Sequence, residues 1–134
     1  MDKMLHADIT DKIIGACFEV SSELGSGFLE SVYERSLIVA LTQTGLSVSA
    51  QVPLKVKFRG VIVGEFYADL LVENKVIVEL KAVTRVLAEH KAQVINYLNA
   101  TGHEVGLLVN FGNPRLEFYR LHPSRHPADP VHPV

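Results

Sequence analysis

The sequence predicts one mixed α/β domain, an α+β arrangement with helices packed on a mixed sheet in the order α-α-β-β-β-α-β-β. Three observations predict it. Two apolar, β-branched runs, Phe66–Val72 and Val76–Leu80, flank the polar break Glu73-Asn74-Lys75, the pattern of a β-hairpin. Three stretches carry apolar residues at helical spacing and stop at glycine. The last of these helices lies between two strand-like runs, as a parallel βαβ unit requires.

Taken in order, residues 8–24 form the first expected helix. Ile9, Ile13, Ala16, Cys17, Val20 and Leu24 share a stripe, Asp8 or Thr10 can cap its start, and Gly25-Ser26-Gly27 ends it. A second helix runs from about Phe28 to Thr44 and stops at Gly45. Glu30, Tyr33, Glu34, Leu37 and Leu41 fall on one broad face of it, acidic at its near end. With Gly27 as N-cap, Glu30 takes the N3 position, where an acid suits the helix dipole and can also point toward the sheet. Residues 52–58 alternate cleanly, with Val52, Leu54, Val56 and Phe58 on one face and Lys55, Lys57 and Arg59 on the other. Pro53 has no N–H and marks this strand as lying near a sheet edge. The three cations serve solvation, and they are also the best local candidates for a phosphate-contacting stripe.

Gly60 turns the chain into the strand that holds Asp69, and a short loop leads to Val76–Lys81. A third helix, from about Arg85 to Ala100, ends at Gly102, with Leu87, Val94, Ile95 and Leu98 as its apolar stripe and His90, Gln93, Tyr97 and Thr101 along one side. Val105–Val109 reads as a buried strand and Leu116–Arg120 as a short last one. The domain is placed at residues 1–120, and residues 121–134, rich in proline and histidine, read as a disordered tail.

Composition narrows the class. The chain has 134 residues, 48% hydrophobic and 21% charged, which suits one globular domain. A net charge of −2 gives no bulk basic field, although a local basic stripe would suffice for nucleic acid. The single cysteine, Cys17, excludes an intramolecular disulfide and reads as a small buried hydrophobe. No apolar signal core or membrane-length run occurs, so the expectation is a soluble, cytoplasmic protein without a membrane partner.

The chemistry concentrates around the hairpin. If residues 73–75 are its loop, Asp69 lies opposite Glu79, and Tyr67 lies opposite Lys81. Opposed carboxylates on a ladder, with Cβ atoms about 5 Å apart, destabilise it. A hard divalent cation between them removes that penalty. Asp69 and Glu79 are therefore metal-ligand candidates, with Lys81 beside them on the Glu79 face. A D…ExK pattern alone more often marks a solvated strand face with Asp69 paired to Lys81. The nearly unbroken apolar run Val76–Leu80 favours a central strand, where unpaired charge is costly.

The ordered set resembles the PD-(D/E)xK nuclease superfamily and, more narrowly, the bacterial family named for its GxxExxY motif. That motif stands here as Gly27-Phe28-Leu29-Glu30-Ser31-Val32-Tyr33. The match continues through Gln51-Val52-Pro53, Asp69, Glu79-Leu80-Lys81, Gln93-Val94-Ile95-Asn96-Tyr97 and Gly106–Gly112, over residues 8–120. Ala68 stands where the motif's proline would be. The resemblance implies a restriction-endonuclease-like core. It implies Mg²⁺ or Mn²⁺ held by Asp69, Glu79 and the Leu80 carbonyl, with Glu30 completing the acidic cluster. Lys81 would orient or help deprotonate the attacking water. Gln93 would steady the site, with Tyr97 near it, and Tyr97, Lys91, Lys55, Lys57 and Arg59 are the candidate nucleic-acid contacts.

The activity implied is metal-assisted hydrolysis of DNA phosphodiesters, in repair or as one part of a larger assembly. A non-catalytic nucleic-acid- or nucleotide-binding module and an interaction scaffold are the alternatives on the same fold. DNA versus RNA, the number of metals, and a homodimer or partner protein stay open.

Overall fold

The computed structural model describes residues 4–124. Its elements are α1 (Ala7–Leu24), α2 (Glu30–Gln43), β1 (Val48–Phe58), β2 (Val61–Val72), β3 (Val76–Lys81), α3 (Ala88–Thr101), β4 (Val105–Asn110) and β5 (Glu117–Leu121). This is the expected order. The five strands form one sheet in sequence order, with β3 at its centre. β3 runs parallel to β4, and every other neighbouring pair is antiparallel. The α3 crossover joins the parallel pair, as the βαβ reading requires.

Each face of the sheet carries its own core. Ile13 and Cys17 of α1 and Leu37 and Leu41 of α2 pack on Val76, Val78 and Leu80 of β3. On the opposite face Val94 and Leu98 of α3 pack on Ile77 and Leu108. Strands β3 and β4 are therefore covered on both sides, and all residues but Lys81 are buried. Cys17 sits in the first core, where burial pushes its thiol up to about 12, so it behaves as a packing residue and not a nucleophile.

Alternation breaks along the β1–β2 ribbon. Leu70 and Val72 of β2, with Val48 of β1, pack beneath α1 and α2. Ala68 of β2, with Leu54 and Val52 of β1, packs beneath α3. Regular alternation would put residues 68, 70 and 72 on one face. The ribbon thus turns over between the pairs Ala50↔Leu70 and Val52↔Ala68, at Gln51 and Asp69. Gln51 takes up the turn with a φ of 50°, left-handed backbone that a non-glycine residue adopts only at a cost.

Local details correct several sequence expectations. Neither Asp8 nor Thr10 caps α1; His6 precedes it in left-handed conformation, and the Thr10 hydroxyl donates to the Ala7 carbonyl. Helix α2 begins at Glu30 with Leu29 as N-cap, so Glu30 is N1 and Gly27 lies outside the helix. Helix α3 starts at Ala88, where His90 Nδ1 accepts the Leu87 N–H at 2.9 Å. Strand β1 begins four residues earlier than expected, at Val48, and Arg59 stands beyond its end in the turn. Leu121, assigned to the tail, closes β5. Ser124 of the expected tail is fastened to Asn99, its N–H donating to Asn99 Oδ1 at 3.1 Å and its Oγ accepting from Nδ2 at 2.8 Å, while residues from Arg125 on lie outside the described residues.

Tyr33 explains the segment between α1 and α2. Its ring is fully buried and stacks on Phe111 at 4.6 Å between centroids. Its hydroxyl donates to the Gly25 carbonyl at 2.6 Å and accepts the Phe28 N–H at 3.2 Å. That loop passes through Gly27 at a φ of 110°, which only glycine takes without strain. Tyr33→Phe keeps the stack and leaves both backbone groups without their partner. It is expected to lower stability by about 1–2 kcal/mol in chemical denaturation. An unchanged midpoint would mean that the hydroxyl does not hold the loop.

Candidate metal centre

The β2–β3 ladder pairs Val72 with Val76, Leu71 with Ile77 and Leu70 with Val78, then stops. The next rung would pair Asp69 with Glu79, the juxtaposition expected from the hairpin loop. Here side chains take over from the backbone. The Asp69 N–H donates to Glu79 Oε1 at 3.0 Å, and the Leu80 N–H donates to Asp69 Oδ2 at 2.8 Å. Beyond this point β2 pairs with β1 alone, so the two carboxylates lock the fork where the ribbon leaves the sheet. The Tyr67–Lys81 rung expected further along is not formed.

Glu79 is 5% exposed, an acid on a central strand. Burial pushes its carboxyl up to about 8, with the Asp69 charge adding to the rise and the Lys81 charge opposing it. Lys81 shares the Glu79 face and is half-buried, and its carbonyl accepts the Phe111 N–H at 2.8 Å. Tyr97 of α3 lies close by: burial, then the charges of Glu79 and Asp69, push its hydroxyl upward. Gln93, one turn earlier, lines with Tyr97, Phe66 and Val56 a cavity of about 330 Å³ between α3 and the ribbon.

The acid expected from α2 is placed differently. Glu30 is exposed in the first turn of α2. Among the described residues no three His, Cys, Asp or Glu side chains converge to hold an ion, so the expected triad of Glu30, Asp69 and Glu79 is not assembled. One turn further along α2, Glu34 Oε1 accepts from Gln51 Nε2 at 2.9 Å, and the same nitrogen lies 3.5 Å from Asp69 Oδ1. The helix thus reaches the pair through Gln51, the residue that also carries the strained backbone. Sequence spacing could not choose between Glu30 and Glu34, which lie one helical turn apart.

Of the other candidates, Leu80 contributes its N–H, while its side chain belongs to the core under α1 and α2. Lys55 and Lys57 are exposed on β1, with Lys55 opposite Glu65, and the Arg59 guanidinium stacks 4.8 Å from the Phe58 ring centroid. Lys91 does not join them: its Nζ sits 3.9 Å over the Tyr119 ring of β5.

Two residues with no role assigned from sequence fix the segment after Lys81. Asn110 is fully buried; its Oδ1 accepts the Val83 and Gly112 N–H groups, each at 3.0 Å, and its Nδ2 donates to the Val83 carbonyl at 2.8 Å. Gly112 lets the Val83 backbone approach closer than any side chain would permit. The sequence signals are a polar residue closing an apolar run and the place of Asn110-Phe111-Gly112 in the matched stretch.

Two oxygen donors of the kind a hard divalent cation takes stand at the fork. Asp69 Oδ1 and Glu79 Oε2 lie outside the two bonds that lock the fork, both are carboxylate oxygens, and the burial that penalises charge on Glu79 favours a neutralising ion.

A family model described as the PD-(D/E)XK nuclease superfamily matches residues 7–121. The crystal structure of a protein named SSO0001 superposes with a TM-score of 0.56 at 18% identity, a likeness of fold. The match covers 90% of this chain, which spans 61% of the length of that one. No curated protein matches the chain.

Proposed function

Because the chain belongs to the PD-(D/E)XK nuclease superfamily, we propose that it is a metal-dependent nuclease hydrolysing DNA phosphodiesters, of the GxxExxY branch. The observation that carries this reading is the interlocked pair of Asp69 and Glu79 at the fork, with Lys81 on the same face. A purely structural fork would have no reason to bury a carboxyl raised to about 8 against a second acid.

Asp69 Oδ1 and Glu79 would hold Mg²⁺ or Mn²⁺, with the Leu80 carbonyl as a further oxygen donor. Glu34, fastened through Gln51, takes the outer place first given to Glu30. When bound, the ion polarises the scissile phosphate and lowers the pKa of a water. Lys81 supplies positive charge where the phosphorane oxygens develop theirs and orients the attacking water. Gln93 and Tyr97 wall the site on the α3 side, and Tyr97 excludes bulk water from Glu79. Lys55, Lys57 and Arg59 lie on the ribbon that leads into the site, where phosphates of the bound strand would pass.

The test is direct. Single-stranded, duplex and flapped DNA are incubated with the protein in Mg²⁺ or Mn²⁺, and cleavage is expected that chelation removes and Asp69→Ala reduces to background. No metal-dependent cleavage of any of the three substrates, or equal cleavage by both proteins, overturns the assignment.

A further inference from the structure

The ribbon beyond the fork has more apolar surface than a free hairpin can justify. From Val61 to Asp69, β2 has β1 as its sole pairing partner. Phe58, Val61, Ile62, Val63, Phe66 and Tyr67 are all 43–63% exposed. A two-stranded ribbon is marginal by itself, and so concentrated an exposed apolar surface marks a contact site.

Register sorts these residues. Phe58 pairs with Val61, and Leu54 with Phe66. These fall on the face that turns toward α3, because Leu54 packs in that core and the Phe66 ring meets the Tyr97 ring at 5.6 Å. The face is continuous, from the exposed tip at Phe58 and Val61, past Phe66, to the cavity walled by Tyr97, Gln93 and Glu89, where the Tyr97 hydroxyl feels the charges of Glu79 and Asp69. Arg59 covers the Phe58 ring at the tip, and Lys55 and Lys57 line the other face. Over residues 52–67 the formal charge is therefore positive, three cations against Glu65 alone, in a chain whose net charge is −2.

We propose that this ribbon is a binding platform for single-stranded nucleic acid. Unpaired bases lie on Phe58, Val61 and Phe66, a phosphate meets Arg59 at the tip, and the strand is led toward Asp69 and Glu79. Exposed rings and aliphatic side chains take the faces of unstacked bases, which a duplex keeps covered. This names the substrate class of the site and rests on the nuclease reading. A second copy of the chain fits the surface less well. Pairing through the free edge of β1 would bring Lys55 and Lys57 of both copies together, and Pro53 lacks the N–H such pairing needs.

The experiment measures fluorescence anisotropy of a labelled 20-nucleotide single strand, and of the same sequence as a duplex, in chelator so that nothing is cut. The wild type is expected to favour the single strand. Phe58→Ala/Val61→Ala is expected to weaken it roughly tenfold or more. Arg59→Ala should weaken it and reduce the slope of log affinity against log salt by about 0.7. These residues are exposed, so the variants should keep the wild-type circular dichroism and melting midpoint. Equal affinity for duplex and single strand, or unchanged binding by both variants, overturns the proposal. So does a concentration-dependent self-association that Phe58→Ala/Val61→Ala abolishes while oligonucleotide binding is unaffected. If the predicted binding holds and no metal-dependent cleavage is found, the nuclease reading fails and the platform stands. If cleavage is metal-dependent and the variants bind and cut as wild type does, the platform fails alone.

Discussion

Glu79→Gln is expected to abolish metal-dependent cleavage, by at least about a thousandfold, while making the metal-free protein more stable. The two effects have one cause. Gln keeps the oxygen that accepts the Asp69 N–H, so the lock on the fork survives. It removes a negative charge that is buried and faces a second carboxylate. It also removes the charge that would hold the ion, and with it several kcal/mol of transition-state stabilisation. A structural glutamate would give the opposite sign in stability, because replacing a useful ion-pair partner destabilises. Denaturation in chelator and single-turnover cleavage with Mn²⁺ check both halves. A less stable Glu79→Gln protein would mean that Glu79 serves the fold and not a ligand.

The stability gain should depend on pH in a defined window. The folded Glu79 carboxyl lies at about 8, above its ordinary 4.5, so between these values the metal-free folded state keeps a proton that the unfolded chain releases. Stability then falls as pH rises through the window, by at most about 1.4 kcal/mol per pH unit, and the loss is complete above about 8. Wild type and Glu79→Gln should be nearly equal at pH 4.5 and differ by about 2 kcal/mol or more at pH 8.5. Mn²⁺ at the higher pH should restore the wild type alone, since it binds the deprotonated pair. Parallel pH profiles for the two proteins would contradict the burial argument.

The contrast between Glu79 and Glu30 shows what could be read from the residues alone. Asp69 and Glu79 were legible because strand pairing follows from a loop length, and the loop of residues 73–75 set the rung. The central place of β3 was legible in its unbroken apolar run. The helix acid was not, since Glu30 and Glu34 share a face and only the start of α2 at Glu30 decides how each one reaches the sheet. Nor was the turnover of the ribbon at Gln51 and Asp69. Regular alternation along Val52–Phe58 read as one amphipathic strand, but its apolar face packs on α3 while Val48, on the same strand, packs with the other core. That inversion depends on one left-handed residue, and glutamine gives no warning of it. The same break hides that Phe58 and Phe66 stay exposed on the ribbon and that the Phe66 ring lies against Tyr97.

Gly112→Ala is expected to have the largest effect on stability, about 3–5 kcal/mol, with a fall in Tm of roughly 10 °C or more. A Cβ at position 112 would stand 2.1 Å from the Val83 carbonyl oxygen and 2.4 Å from its nitrogen, so backbone, not a flexible side-chain tip, must move. Val83 cannot move alone, because Asn110 grips both its N–H and its carbonyl and also takes the Gly112 N–H. Displacing it breaks the hydrogen bonds that join the segments leaving β3 and β4 and shifts the chain two residues after Lys81. Gly106→Ala is the matched control. There the added carbon would meet Val94 Cγ1 at 2.8 Å, a side-chain methyl on α3 and not backbone, and a smaller loss of about 1–3 kcal/mol is expected. Gly112→Ala should therefore melt well below Gly106→Ala and lose activity even at temperatures where it stays folded, since Lys81 loses its fixed place on the Glu79 face. If the two variants melt together, the clamp between Asn110, Gly112 and Val83 does not set the position of the lysine, and the rigidity of β3 and β4 alone must do so.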